Sequence, residues 1–152
     1  MSEFRVQYEN RDLNVVLERL ILRNTRLLPL YQEISAELFV STKARFETET
    51  TPEGIPWDAL KPATLARKRT STKLRGQPAR LYRSLRPDYS DTFASVSVGV
   101  RYAAIHQYGG TPDMAPGPAA IPARTYLGLS AEDRAEILEI ALDYERDAIS
   151  GL

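Results

Sequence analysis

Between Tyr102 and Ser130 the chain reads YAAIHQYGGTPDMAPGPAAIPARTYLGLS. An apolar run carrying aromatics stops at Gly109-Gly110, and a connector holding Pro112, Pro116 and Pro118 follows. Glycine supplies backbone angles that other residues avoid, while proline fixes φ and withholds a donor. The connector is therefore neither helix nor inner strand, yet it is long and not very polar. Loops of that length without structure of their own are usually functional or disordered. The expectation is a loop that orders against a neighbouring copy or a partner. Beyond it come Ile121-Pro122-Ala123-Arg124, a second apolar run, and Ser130 as the cap of a last helix.

At 152 residues the chain has the length of one domain with a real core. Apolar residues make up 43% and charged ones 26%, a globular balance. The formal net charge is zero, which argues against strong steering of the whole molecule to nucleic acid or an acidic membrane. The absence of cysteine removes disulfides, thiolate metal sites and cysteine nucleophiles. No apolar run approaches the ~20 residues that span a bilayer, and the charged start MSEFRVQYENRD does not resemble a secretory signal. The charge is unevenly placed, however. Lys61 to Arg86 holds nine basic residues and no acidic one, whereas the last helix carries Glu132, Asp133, Glu136, Glu139, Asp143, Glu145 and Asp147 against Arg134 and Arg146. Such polarity suits head-to-tail self-association. Two solvated faces, or a match within one molecule, explain it equally well.

Hydrophobic periodicity outlines an α+β fold. Phe4, Val6 and Tyr8 alternate as a short edge strand. Asp12 caps a first helix over about 12–24, with Leu13, Val16, Leu17, Leu20 and Ile21 at spacings of three and four. A second helix runs over about 29–49 with the stripe Tyr31, Ile34, Leu38, Phe39, Thr42 and Phe46. Trp57, after Pro56, plugs the edge of a core or offers a stacking platform. Pro62–Arg69 reads as a short helix and Thr70–Pro78 as a mobile, basic loop. A strand near Leu85–Tyr89 turns at Ser90-Asp91 into Phe93–Val100, where Ala94, Val96, Val98 and Val100 share one face. Tyr102–Tyr108 suits a helical turn, and Arg124–Leu129 a last strand. Ser130 then caps a helix over about 130–148. The three long helices are expected to pack on a small, mostly antiparallel sheet, with long connecting loops, as one domain spanning residues 1–152.

No catalytic, cofactor-binding or metal constellation stands out. His106 is the single histidine, and no acid lies near it at ligand spacing. A hydrolase built on His106 and Asp133 is the weakest reading. A nucleic-acid-binding module using 61–86 is the main alternative, because Lys61, Arg67, Lys68, Arg69, Lys73 and Arg75 are positioned to neutralise phosphates. Tyr82 is the one aromatic inside that segment, so the stacking residues of a single-strand binder are missing.

Several stretches, in order, resemble the tailed-bacteriophage virion morphogenesis family, the tail completion proteins. They are Arg45-Phe46, PEGIPWDAL (52–60), Thr64 with Lys68, Leu81 with Ser84-Leu85, Val96–Gly99, Tyr102-Ala103, IHQYG (105–109), IPARTYLGLS (121–130) and Asp133. The resemblance covers roughly Leu30 to the C-terminus; the chain departs from it at Tyr82, where the family commonly has glycine. It implies a structural virion protein, not an enzyme, without cofactor or membrane. Such a protein acts at the tail end or in the neck joining tail to head, after assembly in the host bacterial cytoplasm. It works as a ring of its own copies, often a hexamer, around the DNA channel. The other partners implied are tail tube and neck or connector proteins, with non-specific contact to passing DNA. The residues expected to meet neighbours are Arg67, Lys68, Arg69, Lys73, Arg75, Tyr108, Gly109, Gly110, Pro112, Pro116, Pro118 and Arg124. For Arg124 the alternatives are an orienting role at the start of the last strand and an ordinary intramolecular salt bridge.

Overall fold

Asn10 opens the first helix, α1 (Arg11–Leu22), by accepting the Leu13 N–H on its side chain at 3.3 Å. The computed structural model, which describes residues 4–67, 72–75 and 79–151, thus moves the cap two residues before the expected Asp12. Asp12 lies instead in the first turn, where the helix dipole favours a carboxylate. The helix stops at Leu22 because Asn24 adopts φ +55° and the Thr25 N–H reaches back to the Leu20 carbonyl at 3.0 Å. Asparagine tolerates the left-handed region better than most residues, so it can end a helix as glycine often does. The second helix, α2 (Leu28–Thr48), closes in the same way. Glu49 takes φ +55° and the Thr50 N–H returns to the Arg45 carbonyl at 3.2 Å.

The remaining elements are α3 (Pro62–Arg67), α4 (Arg80–Arg83), β1 (Arg86–Tyr89), β2 (Ala94–Ser97), α5 (Ala103–Tyr108), α6 (Pro116–Ala119) and α7 (Ala131–Ser150). The fold is α+β. The described chain forms two compact units, each built from separated segments. Unit one takes the residues up to Val6 together with Thr42–Leu85 and Val98–Gly128; unit two takes Gln7–Ser41, Arg86–Ser97 and the residues from Leu129 onward.

Unit two contains the helix-and-sheet arrangement expected from periodicity. Val16 and Leu20 of α1, Leu27, Leu30 and Ile34 at α2, and Ile137 and Ala141 of α7 form one buried cluster, with Ala94 of β2 and Leu129 packed against it. Burying each of the larger side chains contributes about 1.5–3 kcal/mol before entropy is subtracted. Polar links then set register: Arg19 donates to both Glu145 carboxylate oxygens at 2.8 and 2.9 Å, and the Tyr144 hydroxyl donates to the Arg26 carbonyl at 2.5 Å. The N-terminus of α7 is a full capping box. The Asp133 N–H donates to Ser130 Oγ and the Ser130 N–H to Asp133 Oδ2, both at 2.9 Å. Ser41 of α2 also donates to the buried Asp133 carboxylate.

β1 and β2 pair antiparallel with Arg86 opposite Ser97 and Tyr89 opposite Ala94. This pair is shorter than the Phe93–Val100 strand expected, because β1 offers only four residues as partner. Pro87 is tolerated because a two-stranded sheet consists of edges alone. The other two expected strands are absent from the described residues: 4–8 and 124–129 carry no ladder. A strand needs a neighbour for its N–H and C=O groups, and residues 125–127 obtain their partners in unit one from side chains.

Unit one is centred on Phe46, whose ring meets Trp57, Tyr82 and Tyr126 at centroid distances of 5.5, 5.4 and 5.4 Å. Trp57 therefore closes a core, as the first sequence reading had it, and donates its indole N–H to the Thr125 carbonyl at 2.9 Å. Buried Gln107 stands in for the missing strand neighbour. Its Oε1 accepts from the Tyr126 and Leu127 N–H groups at 3.1 and 3.0 Å, and its Nε2 donates to the Leu127 carbonyl at 3.0 Å. Arg45 donates to the Tyr126 carbonyl at 3.0 Å, and the Tyr126 hydroxyl donates to the Ala103 carbonyl at 2.8 Å.

Apolar burial, more than the exposed Arg19–Glu145 pair, should hold unit two together. Leu20→Ala is expected to cost about 2–5 kcal/mol, and Arg19→Ala much less. Urea unfolding of the two variants checks the order.

Candidate functional site

The glycine-proline arm, residues 109–123, belongs to unit one, and its ends are fastened there. The Gly110 N–H donates to the Ile121 carbonyl at 2.8 Å, and the Arg124 N–H to the His106 carbonyl at 2.8 Å. The crossing is close enough to require glycine. A Cβ on Gly110 would lie 1.9 Å from the Pro118 carbonyl oxygen, and one on Gly109, where φ is +80°, 2.8 Å from the Ala123 nitrogen. Between these ties the arm makes two turns, with Met114 N–H to Thr111 carbonyl at 3.0 Å and Ala119 N–H to Ala115 carbonyl at 2.9 Å. The second turn is α6, with Pro116 at its first position, so the connector does hold one short helix against expectation, because proline fits the first helical turn, where its missing N–H has no partner to lose. Residues 111–118 are nevertheless all exposed.

Beside the arm runs a groove of about 600 Å³, whose lining includes Lys61, Thr64, Arg67, Arg80, Tyr102 and His106. Lys61, Arg67 and Arg80 are exposed. The half-buried Leu60, Leu74 and Ile121 and the buried Leu81 add apolar surface. No described lining residue is acidic. Lys61 Nζ donates to the Ala120 carbonyl and Arg67 Nε to the Ala63 carbonyl, both at 3.3 Å. Among the described residues neither cation is spent on a carboxylate. His106 stands edge-on to Tyr102 at 5.7 Å.

The residues expected to meet neighbours separate into distinct groups. Pro112, Pro116 and Pro118 are exposed on the arm, and Tyr108 is exposed at the end of α5 with its ring edge-on to Phe4 at 5.5 Å. Gly109 and Gly110 are the crossing point. Arg67 ends α3 at the groove; Lys68 and Arg69 lie outside the described residues, as do most of 70–78. Lys73 and Arg75 are instead paired within unit one, to Glu49 at 2.9 Å and to Glu47 at 3.1 Å. Arg124 is buried and, among the described residues, makes neither a strand nor a salt bridge. Its Nε donates to the Asp58 carbonyl at 3.0 Å and its Nη2 to the Ala59 carbonyl at 3.3 Å. It fastens the arm's exit to the PEGIPWDAL stretch. Burial pulls the Arg124 pKa down, against the nearby carboxylates of Asp58 and Glu49. Burial pushes the Tyr126 hydroxyl up, with Tyr108 adding to it. Among the described residues no group of three or more His, Cys, Asp or Glu is placed to hold a metal ion.

The backbone-bonding roles of Arg45 and Gln107, both inside strings that carry the resemblance, were not foreseen from the sequence. The available signals were an arginine beside Phe46 in an apolar stripe and a glutamine inside IHQYG, both polar residues in runs that otherwise face a core.

Gly110→Ala should displace the arm and speed proteolytic cleavage within 111–118, while Gly117→Ala, with nothing within 4 Å of an added Cβ, should not. Limited proteolysis followed by mass spectrometry distinguishes them. A pH response comes from Glu49. Its burial raises the carboxyl pKa, but the Lys73 N–H and ammonium, with Arg75, outweigh burial and hold it below the usual value. A depressed carboxylate stabilises the fold above its unfolded pKa of about 4.3, and that contribution is lost as pH falls through the folded value. Glu49→Gln should therefore lower the melting temperature at pH 7, and the difference from the parent should begin to shrink as pH falls below about 4.3 and be lost only below the depressed folded value.

The family model for the phage virion morphogenesis family matches residues 8–144. The "Putative capsid assembly protein G" of Escherichia phage Mu is 34% identical over 143 residues, covering 90% of each chain. The "Mu-like prophage FluMu G protein 2" of Haemophilus influenzae is 32% identical over 134 residues, covering 88% of this chain and 89% of its own. No solved structure matches significantly. With a match running through both units and including the arm, the chain belongs to the phage virion morphogenesis family.

Proposed function

We propose that this virion morphogenesis protein completes the phage tail and joins it to the head, sitting in the neck as a ring of its own copies around the DNA channel, without enzymatic activity. The arm carries this reading. An assembly contact gains from a surface that is already shaped before its partner arrives, because less ordering is charged against binding. Residues 111–118 supply eight consecutive exposed positions between two fixed ends. A place in the neck also accommodates both the "capsid assembly" of the Mu relative's name and the tail completion role implied by the resemblance. The hexameric ring size rests on the resemblance.

The nucleic-acid reading is weaker. Of its six cations, Lys73 and Arg75 are engaged by Glu49 and Glu47, which leaves less free charge to release counterions from DNA. Non-specific contact with DNA in the channel remains compatible with the ring.

Deleting 111–119 should leave a folded protein and give particles in which filled heads and finished tails stay separate, with infectivity lost. Circular dichroism and electron microscopy of a complemented phage lacking its own copy would check this. Normal infectious particles from the deletion would sink the proposal.

A further inference from the structure

The exposed acids of α7 fall at positions 132, 136, 139, 143 and 147. Spacings of four, three, four and four keep them on one stripe of a helix. The opposite side of α7 supplies buried Ile137 and Ala141 to the core of unit two. Like charges at these spacings repel and weaken the helix that carries them. Among the described residues one exposed ion pair, Asp143 with Arg146 at 2.8 Å, offsets this. The surplus negative field is felt nearby: the Glu37 pKa is raised by burial and then by Glu136 and Asp133. A helix surface that works against its own stability is easier to understand if positive charge arrives from elsewhere.

The groove of unit one has the complementary character. Lys61 and Arg67 donate only to backbone carbonyls, and Arg80 makes no side-chain hydrogen bond or ion pair among the described residues. No acid is among the lining residues.

We infer that the groove of one copy receives the acidic stripe of α7 from a neighbouring copy, so that unlike surfaces meet head to tail. A heterologous contact of this kind generates a ring when the rotation between copies closes and a filament when it does not. Exposed ion pairs are individually weak; their part here is to choose the partner and set the register, while the apolar groove residues contribute burial. The groove has a single ring pair, Tyr102 with His106, and no run of stacking platforms, which favours a helix face over a nucleic-acid strand. The inference rests on the ring reading above and specifies its interface.

Cysteine cross-linking tests it cleanly because the chain has no cysteine. Thr64→Cys lines the groove and Ala135→Cys lies beside the stripe, exposed. Equal mixing of the two single variants of the full chain under mild oxidation should give disulfide dimers, well above either variant alone. Adding Arg67→Glu and Arg80→Glu to the groove chain should cut the yield at least tenfold. Adding Glu136→Lys and Glu139→Lys to the helix chain should then restore it. All four positions are exposed, so the variants should fold, as circular dichroism would verify. No dimer in the mixture, or no restoration by the reciprocal swap, overturns the inference. So does retardation of DNA that the groove reversal abolishes while the cross-link is absent, which would assign the groove to nucleic acid. Counting the chain in purified particles by mass spectrometry tests the tail-completion reading separately. Particles that contain the chain but yield no cross-link would refute the interface alone.

Discussion

Unit one depends on a requirement of buried backbone: every N–H and C=O taken from water needs a partner. Its segments are mostly irregular, so ladders cannot meet that need. Side chains do it instead. Gln107 serves Tyr126 and Leu127, Arg45 serves Tyr126, Arg124 serves Asp58 and Ala59, and Trp57 serves Thr125. Removing Arg45 or Gln107 strands a buried Tyr126 backbone group at about 1–3 kcal/mol. These contacts cross between distant stretches of chain, which is why a unit with so little regular structure holds a defined shape.

The same residues account for the family resemblance. Arg45-Phe46, the tryptophan of PEGIPWDAL, the glutamine of IHQYG and the arginine and tyrosine of IPARTYLGLS together form this one network. Several of the matched strings thus meet in one structural feature: an aromatic centre at Phe46 with polar side chains closing off the backbone around it. The arm is fastened to that feature through Gly110 and Arg124 while exposing its middle.

Charge plays a different part in each unit. Within unit one, Lys73 and Arg75 are used internally on Glu49 and Glu47, whereas the groove cations are not. In unit two, Arg19 and Glu145 secure α1 to α7, while the outer stripe of α7 is left negative. The net charge of zero conceals these local surpluses. Such surpluses contribute little to folding but a good deal to the choice of partner.

The sequence by itself determined the three long helices, the capping of α7 at Ser130 and the family, while the structure chose the core over the stacking platform for Trp57. Each is written locally, in apolar spacing, in cap residues or in ordered strings. It placed the α1 cap at Asp12 instead of Asn10, since both residues can cap and only the backbone path selects one. It read 4–8 and 124–129 as strands from alternation and apolar content, yet a strand exists only where another chain segment lies alongside. Only the tertiary structure decided that Gln107 would replace that neighbour for Tyr126 and Leu127. Only it decided that Arg124 would bind carbonyls some 65 residues away and that Gly110 would cross the arm's return. Those outcomes depend on which distant groups meet, and hydrogen-bond partners separated so far along the chain leave no periodic trace in it.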